Sequence, residues 1–303
     1  MTTGVFTPNI APMSTILKIR PLWVVAIVFA ASLLLVQAQD KAGRGNAKAG
    51  PPGANHPERI QILILTGQNP HDWRGTTASL RKTLDDTEKF ETREVDEFRG
   101  GTPEMLKPYG LIIMNYYDGG RAENRFGEQG DKALSEFVRS GKGLVLYHLS
   151  LGAFDGWTDY EKMSGGNWRP NKGHHSAAHD FALDIKDPDN PIMRGLKSPL
   201  MVKKDELFAN LRWQPEGSYH VLATAYDDHS LYGPRDTQDK PGPGINEPIL
   251  WTTQFGMGRV FVTALGHDPE DTENPAFKIT FLRGAEWAAT GKVTIPVPQE
   301  LAK

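Results

Sequence analysis

Apolar residues in this chain fall into two patterns, short unbroken runs and runs with helical spacing, and the two alternate through the first half. Arg59–Thr66, Leu111–Asn115 and Gly143–Tyr147 are short apolar runs bounded by glycine or polar breaks, the pattern of strands buried on both faces. Phe90–Phe98 alternates and predicts a further strand. Between them, Thr76–Thr87 places Leu80 and Leu84 on one helical face, and Glu128–Ser140 does the same with Leu134, Phe137 and Val138 before Gly141 stops it. Thr102 and the proline at the next position predict a short capped helix over Pro103–Lys107. The order β-α-β-(α)-β-α-β predicts a parallel sheet covered on both faces.

The second half is less regular. Trp157–Met163 reads as a short helix, Phe181–Lys186 and Val221–Ala225 as strands, and Lys203–Ala209 fits neither period. Asn171–Asp180 reads as a loop with three histidines, and Asp227–Glu247 as a long one rich in Gly, Pro and Asp. Pro248–Phe255 and Arg259–Leu265 predict a hairpin over Gly256-Met257-Gly258, and Pro275–Thr290 a closing helix with Phe277, Phe281, Ala285 and Ala288 on one stripe. There is no internal repeat and no second domain boundary.

The N-terminal region changes the picture of the mature chain. Lys18 and Arg20 precede the uncharged apolar run Leu22–Val36, and Val36-Gln37-Ala38 offers small residues for cleavage, so residues 1–38 are expected to be a signal peptide. Its 15 apolar residues would span about 22 Å as a helix at ~1.5 Å per residue, short of a ~30 Å hydrocarbon core. An exported, periplasmic or secreted protein with no stable span after cleavage is expected, the alternative being an uncleaved membrane anchor. Either Met1 or Met13 could start the chain. Residues 39–57, polar and rich in Gly, Ala and Pro, read as a tether, leaving 58–303 as one α/β domain.

Composition narrows the chemistry. The chain has no cysteine among its 303 residues, which removes disulfides, thiolate nucleophiles and zinc–sulfur sites. Its formal charge is −3; without Lys18 and Arg20 the mature chain stands at −3 − 2 = −5, which disfavours a nucleic-acid partner. Three strand-like runs then lead into histidines: Ile62–Thr66 into His71, Gly143–Tyr147 into His148, and Arg259–Leu265 into His267. Ligands of open α/β sheets lie outside the carboxyl ends of the strands, so these imidazoles are expected to share one site.

A series of short pieces carries a family resemblance. They are Gly67…His71-Asp72-Trp73, Gly141-Lys142-Gly143-Leu144-Val145-Leu146-Tyr147-His148, Gly165-Gly166 with His174/His175 after it, Asp189-Asn190-Pro191-Ile192…Gly195-Leu196, and Asp205-Glu206-Leu207-Phe208. Pro248-Ile249-Leu250-Trp251, Gly256-Met257-Gly258-Arg259-Val260-Phe261, Leu265-Gly266-His267-Asp268 and Trp287-Ala288-Ala289-Thr290-Gly291 complete the series. In order and spacing, from about residue 60 to 292, the chain resembles the ThuA-like (trehalose utilisation) family. The resemblance implies a class I glutamine amidotransferase-like fold: a flavodoxin-like three-layer sandwich with a mostly parallel sheet. It also implies a place in carbohydrate metabolism, with keto-sugars or disaccharides as substrates. The amidotransferase superfamily carries a cysteine nucleophile in the turn after the strand that ends here at Tyr147. That turn reads His148-Leu149-Ser150-Leu151-Gly152, so glutamine hydrolysis through a thioester is excluded.

Ser150 offers only half of a G-x-S-x-G elbow, with Gly152 after it but His148 before it, and its plainer reading is a hydroxyl capping the next helix. His148, His267 and Glu206 are the expected catalytic groups; Asp205 and Glu206 form a carboxylate pair, one of which could be a general base, the plainer reading being a solvated edge or turn cap. Asp72, Trp73, Tyr117 and Asp268 are expected to touch substrate, Trp73 by stacking on a sugar ring. Trp73 could instead be a lid over the first helix, and Asp268 could orient His267 or cap the following helix. His71, His148, His175 (or His174) and His267 are the nitrogens a divalent Zn, Mn or Fe ion would take. The alternative is a polar sugar pocket in which the same histidines donate hydrogen bonds and move protons; of His174, His175 and His179, which share a polar loop, at least one is expected to be merely solvated. The expected function is a hydrolase, lyase or isomerase acting on a glycoside or keto-sugar. The alternative, from another class, is a non-catalytic carbohydrate-binding protein with a degenerate amidotransferase-like pocket.

Overall fold

The computed structural model describes residues 50–232 and 244–303. The expected signal peptide, most of the tether and the middle of the Asp227–Glu247 loop lie outside the described residues. The compact unit runs Gly50–Lys303. The Arg93 guanidinium donates to the Gly50 carbonyl, and the Gln61 side-chain amide to that of His56, which ties residues 50–57 to the sheet edge. Among the described residues no helix is long and apolar enough to cross a membrane.

The strands in chain order are β1 Ile60–Gly67, β2 Phe90–Val95, β3 Leu111–Tyr116, β4 Gly143–Tyr147, β5 Gly166–Asn167, β6 His174–His175, β7 His179–Ile185, β8 Leu200–Asp205, β9 Phe208–Ala209, β10 Arg212–Trp213, β11 Tyr219–Tyr226, β12 Asn246–Phe255 and β13 Gly258–Thr263. The helices are α1 Trp73–Asp85, α2 Pro103–Leu106, α3 Gly127–Arg139, α4 Thr158–Ser164 and α5 Pro275–Thr290. The main sheet has the order β2-β1-β3-β4-β13-β12-β11-β7-β8. Its first five strands are parallel; β12, β11, β7 and β8 extend it in antiparallel fashion. Helices α1 and α5 touch each other on one face, and α2 and α3 on the other. This is the α/β sandwich expected of the sequence.

The inner parallel strands β1, β3, β4 and β13 hold the core because they are apolar on both faces. Ile62, Ile64, Leu111–Met114, Leu144–Leu146 and Val260–Val262 are fully enclosed, and each such side chain contributes about 1.5–3 kcal/mol by leaving water. At the hairpin β12 ends at Phe255 and β13 begins at Gly258, so the turn is Gly256-Met257, with Gly256 at φ +60°. Glycine is required at that first turn position, where a Cβ would also strike the backbone of Arg139.

Three expectations shift. Helix α1 starts at Trp73 instead of Thr76, because Asp72 Oδ1 accepts the Gly75 N–H (2.9 Å) and caps three extra residues into the first turn. The ambiguous Lys203–Ala209 divides into β8 and β9, with Glu206 and Leu207 in the break. The loop Asn171–Asp180 contains β6, which pairs antiparallel with β9 (His174 opposite Ala209, His175 opposite Phe208).

One helix residue gives a stability test remote from the histidines. Asp131 on α3 is half-buried, and its Oδ1 finds no hydrogen-bond partner among the described residues. Burial pushes its carboxyl up to about 6 from 3.8, with Arg125 pulling back and Asp118 adding to the rise. The fold therefore favours the neutral acid. That stability is complete below pH 3.8 and is lost as pH rises through about 6. Asp131→Asn should raise stability at pH 8 by about 1 kcal/mol, after discounting for partial solvent screening, and change nothing near pH 3.5. Thermal melts at the two pH values check this.

Candidate functional site

The carboxyl ends of β1, β3, β4 and β13 form one rim, and β1 and β3 flank the point where strand order reverses, the usual ligand crevice of such sheets. Beyond β1 the chain turns through Gln68 at φ +55°, and Asn69 Oδ1 accepts the His71 N–H (2.9 Å), which sets His71 over the rim. Directly after β4, His148 itself holds φ +44°, a left-handed conformation that costs a branched-chain or ring residue about 1–3 kcal/mol. After β13, Gly266 at φ +93° lies against Tyr147, whose ring a Cβ would meet at 2.8 Å, and whose hydroxyl donates to the Gly266 carbonyl. This turn delivers His267.

The three imidazoles converge. Ring centroids lie 4.3 Å apart for His71 and His267, 5.3 Å for His71 and His148, and 5.6 Å for His148 and His267. Glu206 enters from the β8–β9 break. Its carboxylate stands 3.1 Å from His175 Nδ1, 3.6 Å from His267 Nε2 and 3.9 Å from His148 Nε2. His148 Nδ1 lies 2.9 Å from the Ala264 carbonyl; a carbonyl only accepts, so Nδ1 carries the proton and Nε2 presents a lone pair. His267 Nδ1 lies 3.2 Å from Asp268 Oδ2, which orients that ring. Burial holds His148 well below the ordinary imidazole range and lowers His71 too, where His267 adds a smaller push in the same direction. Both are neutral at pH 7.

Asp205 is neither solvated nor at the site. It is fully enclosed and accepts N–H bonds from Gly266 (2.7 Å), Glu206 (2.8 Å) and His267 (3.2 Å), so it fastens the Glu206 segment to the His267 segment. Burial pushes its carboxyl up to about 7, with Asp271 adding to the rise and the three N–H groups opposing it.

Beside this cluster is a cleft of about 240 Å³ lined by Pro70, His71, Tyr117, Leu149, Gly152, Trp168, His175, Glu206 and Phe208. Titratable and aromatic side chains share this lining, with the His175 ring centroid 5.8 Å from that of Trp168 and 6.5 Å from that of Phe208. Two glycines make room for the rings: a Cβ on Gly173 would lie 2.7 Å from Trp168, and one on Gly152 would lie 3.2 Å from Tyr117. Trp168 also meets Phe208 edge to face at 5.1 Å, so its orientation is fixed. The buried Arg169 donates to the carbonyls of Leu151, Gly152 and Trp168, and ion-pairs with Glu161 (3.0 Å) and Asp155 (3.1 Å), which braces the floor.

Other expected site residues lie elsewhere. Asp72 is exposed and serves as the α1 cap. Trp73 lines a separate cleft of about 410 Å³ with Arg74, Arg81 and Glu94, and the Arg74 guanidinium sits 4.0 Å from its ring. The aromatic platform in the histidine cleft is Trp168, which sequence reasoning did not single out; the Gly-rich stretch before it was the available signal. Strand alternation in β6 sends His175 to the cleft and His174 to the opposite side, where its Nε2 lies 3.6 Å from the buried Asp227. His179 Nδ1 bonds locally, 3.0 Å from Ser176 Oγ and 2.9 Å from the Ala177 carbonyl. Ser150 Oγ is enclosed without a hydrogen-bond partner among the described residues, so it caps no helix, and the strained elbow position belongs to His148.

The sequence pattern of the ThuA family, described as trehalose utilisation, matches residues 61–288. Among solved structures, a protein of Parabacteroides merdae described as ThuA-like is 29% identical over 81% of this chain and 95% of its own, with a TM-score of 0.67. A Bacteroides uniformis protein with the same description is 16% identical over 78% and 93%, TM-score 0.58. A cytoplasmic protein of Salmonella typhimurium is 10% identical over 76% and 98%, TM-score 0.50, a likeness of fold alone. No curated protein matches the chain.

Proposed function

This chain belongs to the ThuA, or trehalose-utilisation, family, and from that premise we propose that it binds a small glycoside or keto-sugar in the rim cleft and performs acid–base chemistry on it. The observation that carries the reading is one cleft lined by both kinds of group: the rings of Tyr117, Trp168 and Phe208, and the titratable side chains of His71, His175 and Glu206. A pyranose has one apolar face and a girdle of hydroxyls, and it matches such a mixed lining. At about 240 Å³ the cleft is smaller than the ~300–1,000 Å³ of pockets for drug-sized ligands, which favours one sugar ring over two. Glu206 is the acid–base group, within reach of three imidazoles. His148 and His267 are its partners, and His71 stands over the ligand. The same polar wall has the donor chemistry of a divalent-cation site.

Export completes the reading: a signal peptide over residues 1–38 would place this chemistry in the periplasm or outside the cell. N-terminal sequencing of the mature protein tests it, with cleavage after Ala38 expected.

The substrate class is tested by calorimetric and turnover screens of disaccharides and their 3-keto forms. Trp168→Ala should weaken sugar binding roughly tenfold, about 1.4 kcal/mol, through loss of one stacking face. Binding without turnover across the panel would favour the non-catalytic alternative. Equal affinity in wild type and Trp168→Ala would remove the stacking argument.

A further inference from the structure

Two histidines of the cluster have one ring nitrogen tied and the other turned toward the same carboxylate. His148 is 1% exposed; its Nδ1 donates to the Ala264 carbonyl, and its Nε2 has no hydrogen-bond partner among the described residues. That Nε2 lone pair stands 3.9 Å from Glu206 Oε2, an acceptor facing an acceptor. His267 repeats the arrangement, with Nδ1 at 3.2 Å from Asp268 Oδ2 and Nε2 at 3.6 Å from Glu206 Oε1. His71 packs against both rings, and its Nδ1 is likewise buried without a hydrogen-bond partner among the described residues. The enclosed His148 Nε2 lone pair facing a carboxylate loses its hydration and is repelled unless an electrophile lies between them.

We propose that His148 Nε2, His267 Nε2, Glu206 and His71 together hold one divalent first-row transition-metal ion at the rim of the sheet. Metal–nitrogen bonds of about 2.0–2.1 Å and metal–oxygen bonds of about 2.0–2.2 Å put tetrahedral ligand atoms roughly 3.3 Å apart. The observed 3.6 and 3.9 Å lie near that spacing, but the four residues' ligand atoms do not all come within 4.8 Å of one another, so side-chain rotation must draw the imidazoles in around the ion. The outer contacts have the form metal-bound histidines use, one nitrogen–hydrogen held by a backbone carbonyl and one by a carboxylate. Three imidazoles and one carboxylate suit zinc, manganese or iron in preference to the all-oxygen sites of magnesium and calcium. His175 stands at the mouth of the cleft, its Nδ1 against Glu206 and the Ser176 carbonyl, and orients the carboxylate. A tighter group exists at His267, Asp268 and Asp271, whose ligand atoms all lie within 4.8 Å of one another. There Asp271 Oδ2 accepts the Asp268 N–H (2.9 Å) and Asp268 Oδ2 meets His267 Nδ1, so both carboxylates serve to orient His267.

The site goes beyond the carbohydrate reading and is tested without a sugar. The full chain, stripped with chelator and dialysed, is titrated with Zn(II) and with Co(II), read by calorimetry, Co(II) visible absorption and thermal unfolding. One equivalent is expected, with a Co(II) spectrum of low coordination number, a raised unfolding temperature and no competition from excess Mg(II). Glu206→Gln and His267→Gln, both at partly exposed positions that leave the core intact, should each weaken Zn(II) binding roughly 100-fold, and Asp268→Asn about tenfold. His220→Gln, at a surface histidine paired with Asp187, should leave it unchanged. The proposal is overturned if wild type takes up less than half an equivalent, or if Glu206→Gln and His267→Gln both bind as wild type does. Tight metal binding with no sugar bound by any member of the panel would support this site and sink only the carbohydrate reading.

Discussion

Glu206→Gln should lower kcat/KM by about 10²–10⁴ for whichever sugar the wild type turns over, with folding stability changed by less than about 1 kcal/mol. The side chain is 12% exposed, and glutamine keeps its shape and one acceptor oxygen for His175. What the substitution removes is the charge and the capacity to exchange a proton with substrate. His148 and His267 present nitrogens to this one carboxylate, so no other acid among the cleft-lining residues can take its place. The variant is assayed with and without saturating Zn(II), because weakened metal binding and a lost proton-transfer group both lower turnover. Recovery at high Zn(II) would assign Glu206 to the ion; a persistent deficit would assign it to acid–base work. Turnover above half that of wild type in both conditions would remove Glu206 from the chemistry.

The parts of this site legible in the sequence are those that follow from the parallel sheet. β1, β3, β4 and β13 are apolar on both faces, so their bounds lie within a residue or two of the expected ones. Their carboxyl ends open on one rim for the same reason, which is why His71, His148 and His267 could be grouped from three distant segments. The Glu206 side of the cleft was less legible. Whether His174 or His175 faces the cleft depends on the pairing of β6 with β9, two-residue strands too short to show a period. Lys203–Ala209 resisted assignment because it holds the end of one strand, a break and the start of another. Aromatic residues misled for a local reason. Trp73 adjoins the histidine loop in sequence, yet the Asp72 cap winds it into α1 and turns it to another cleft. Trp168 reaches the site through a turn whose geometry depends on Gly173 and Arg169, contacts that no pattern along the chain encodes.

The His148 elbow shows what the fold retains from its superfamily resemblance. A residue immediately after the central parallel strand is held at positive φ over the crevice, the position where the related amidotransferase pattern places a nucleophile. Here the strained position carries a neutral imidazole whose free nitrogen points inward.

The joining of the Glu206 and His267 segments depends on Asp205, and Asp205→Ala should cost about 3 kcal/mol of folding stability, a fall of roughly 6–12 °C in Tm. The carboxyl is fully enclosed and is the acceptor for the backbone N–H groups of Gly266, Glu206 and His267. Removing it strands three donors. A buried donor without a partner costs about 1–3 kcal/mol, and part of that returns where water can enter. Asp205→Asn should lose about half as much, because one oxygen survives and the amide nitrogen must face a donor. The two segments it joins carry Glu206 and His267, so Zn(II) affinity should fall together with stability, although Asp205 bonds only their backbone N–H groups and is not itself a proposed ligand. Urea unfolding and Zn(II) titration on the same preparation separate the roles. Lost stability with unchanged metal affinity would make Asp205 a structural fastener only, and a stability change under 1 kcal/mol would show that the three N–H bonds are dispensable.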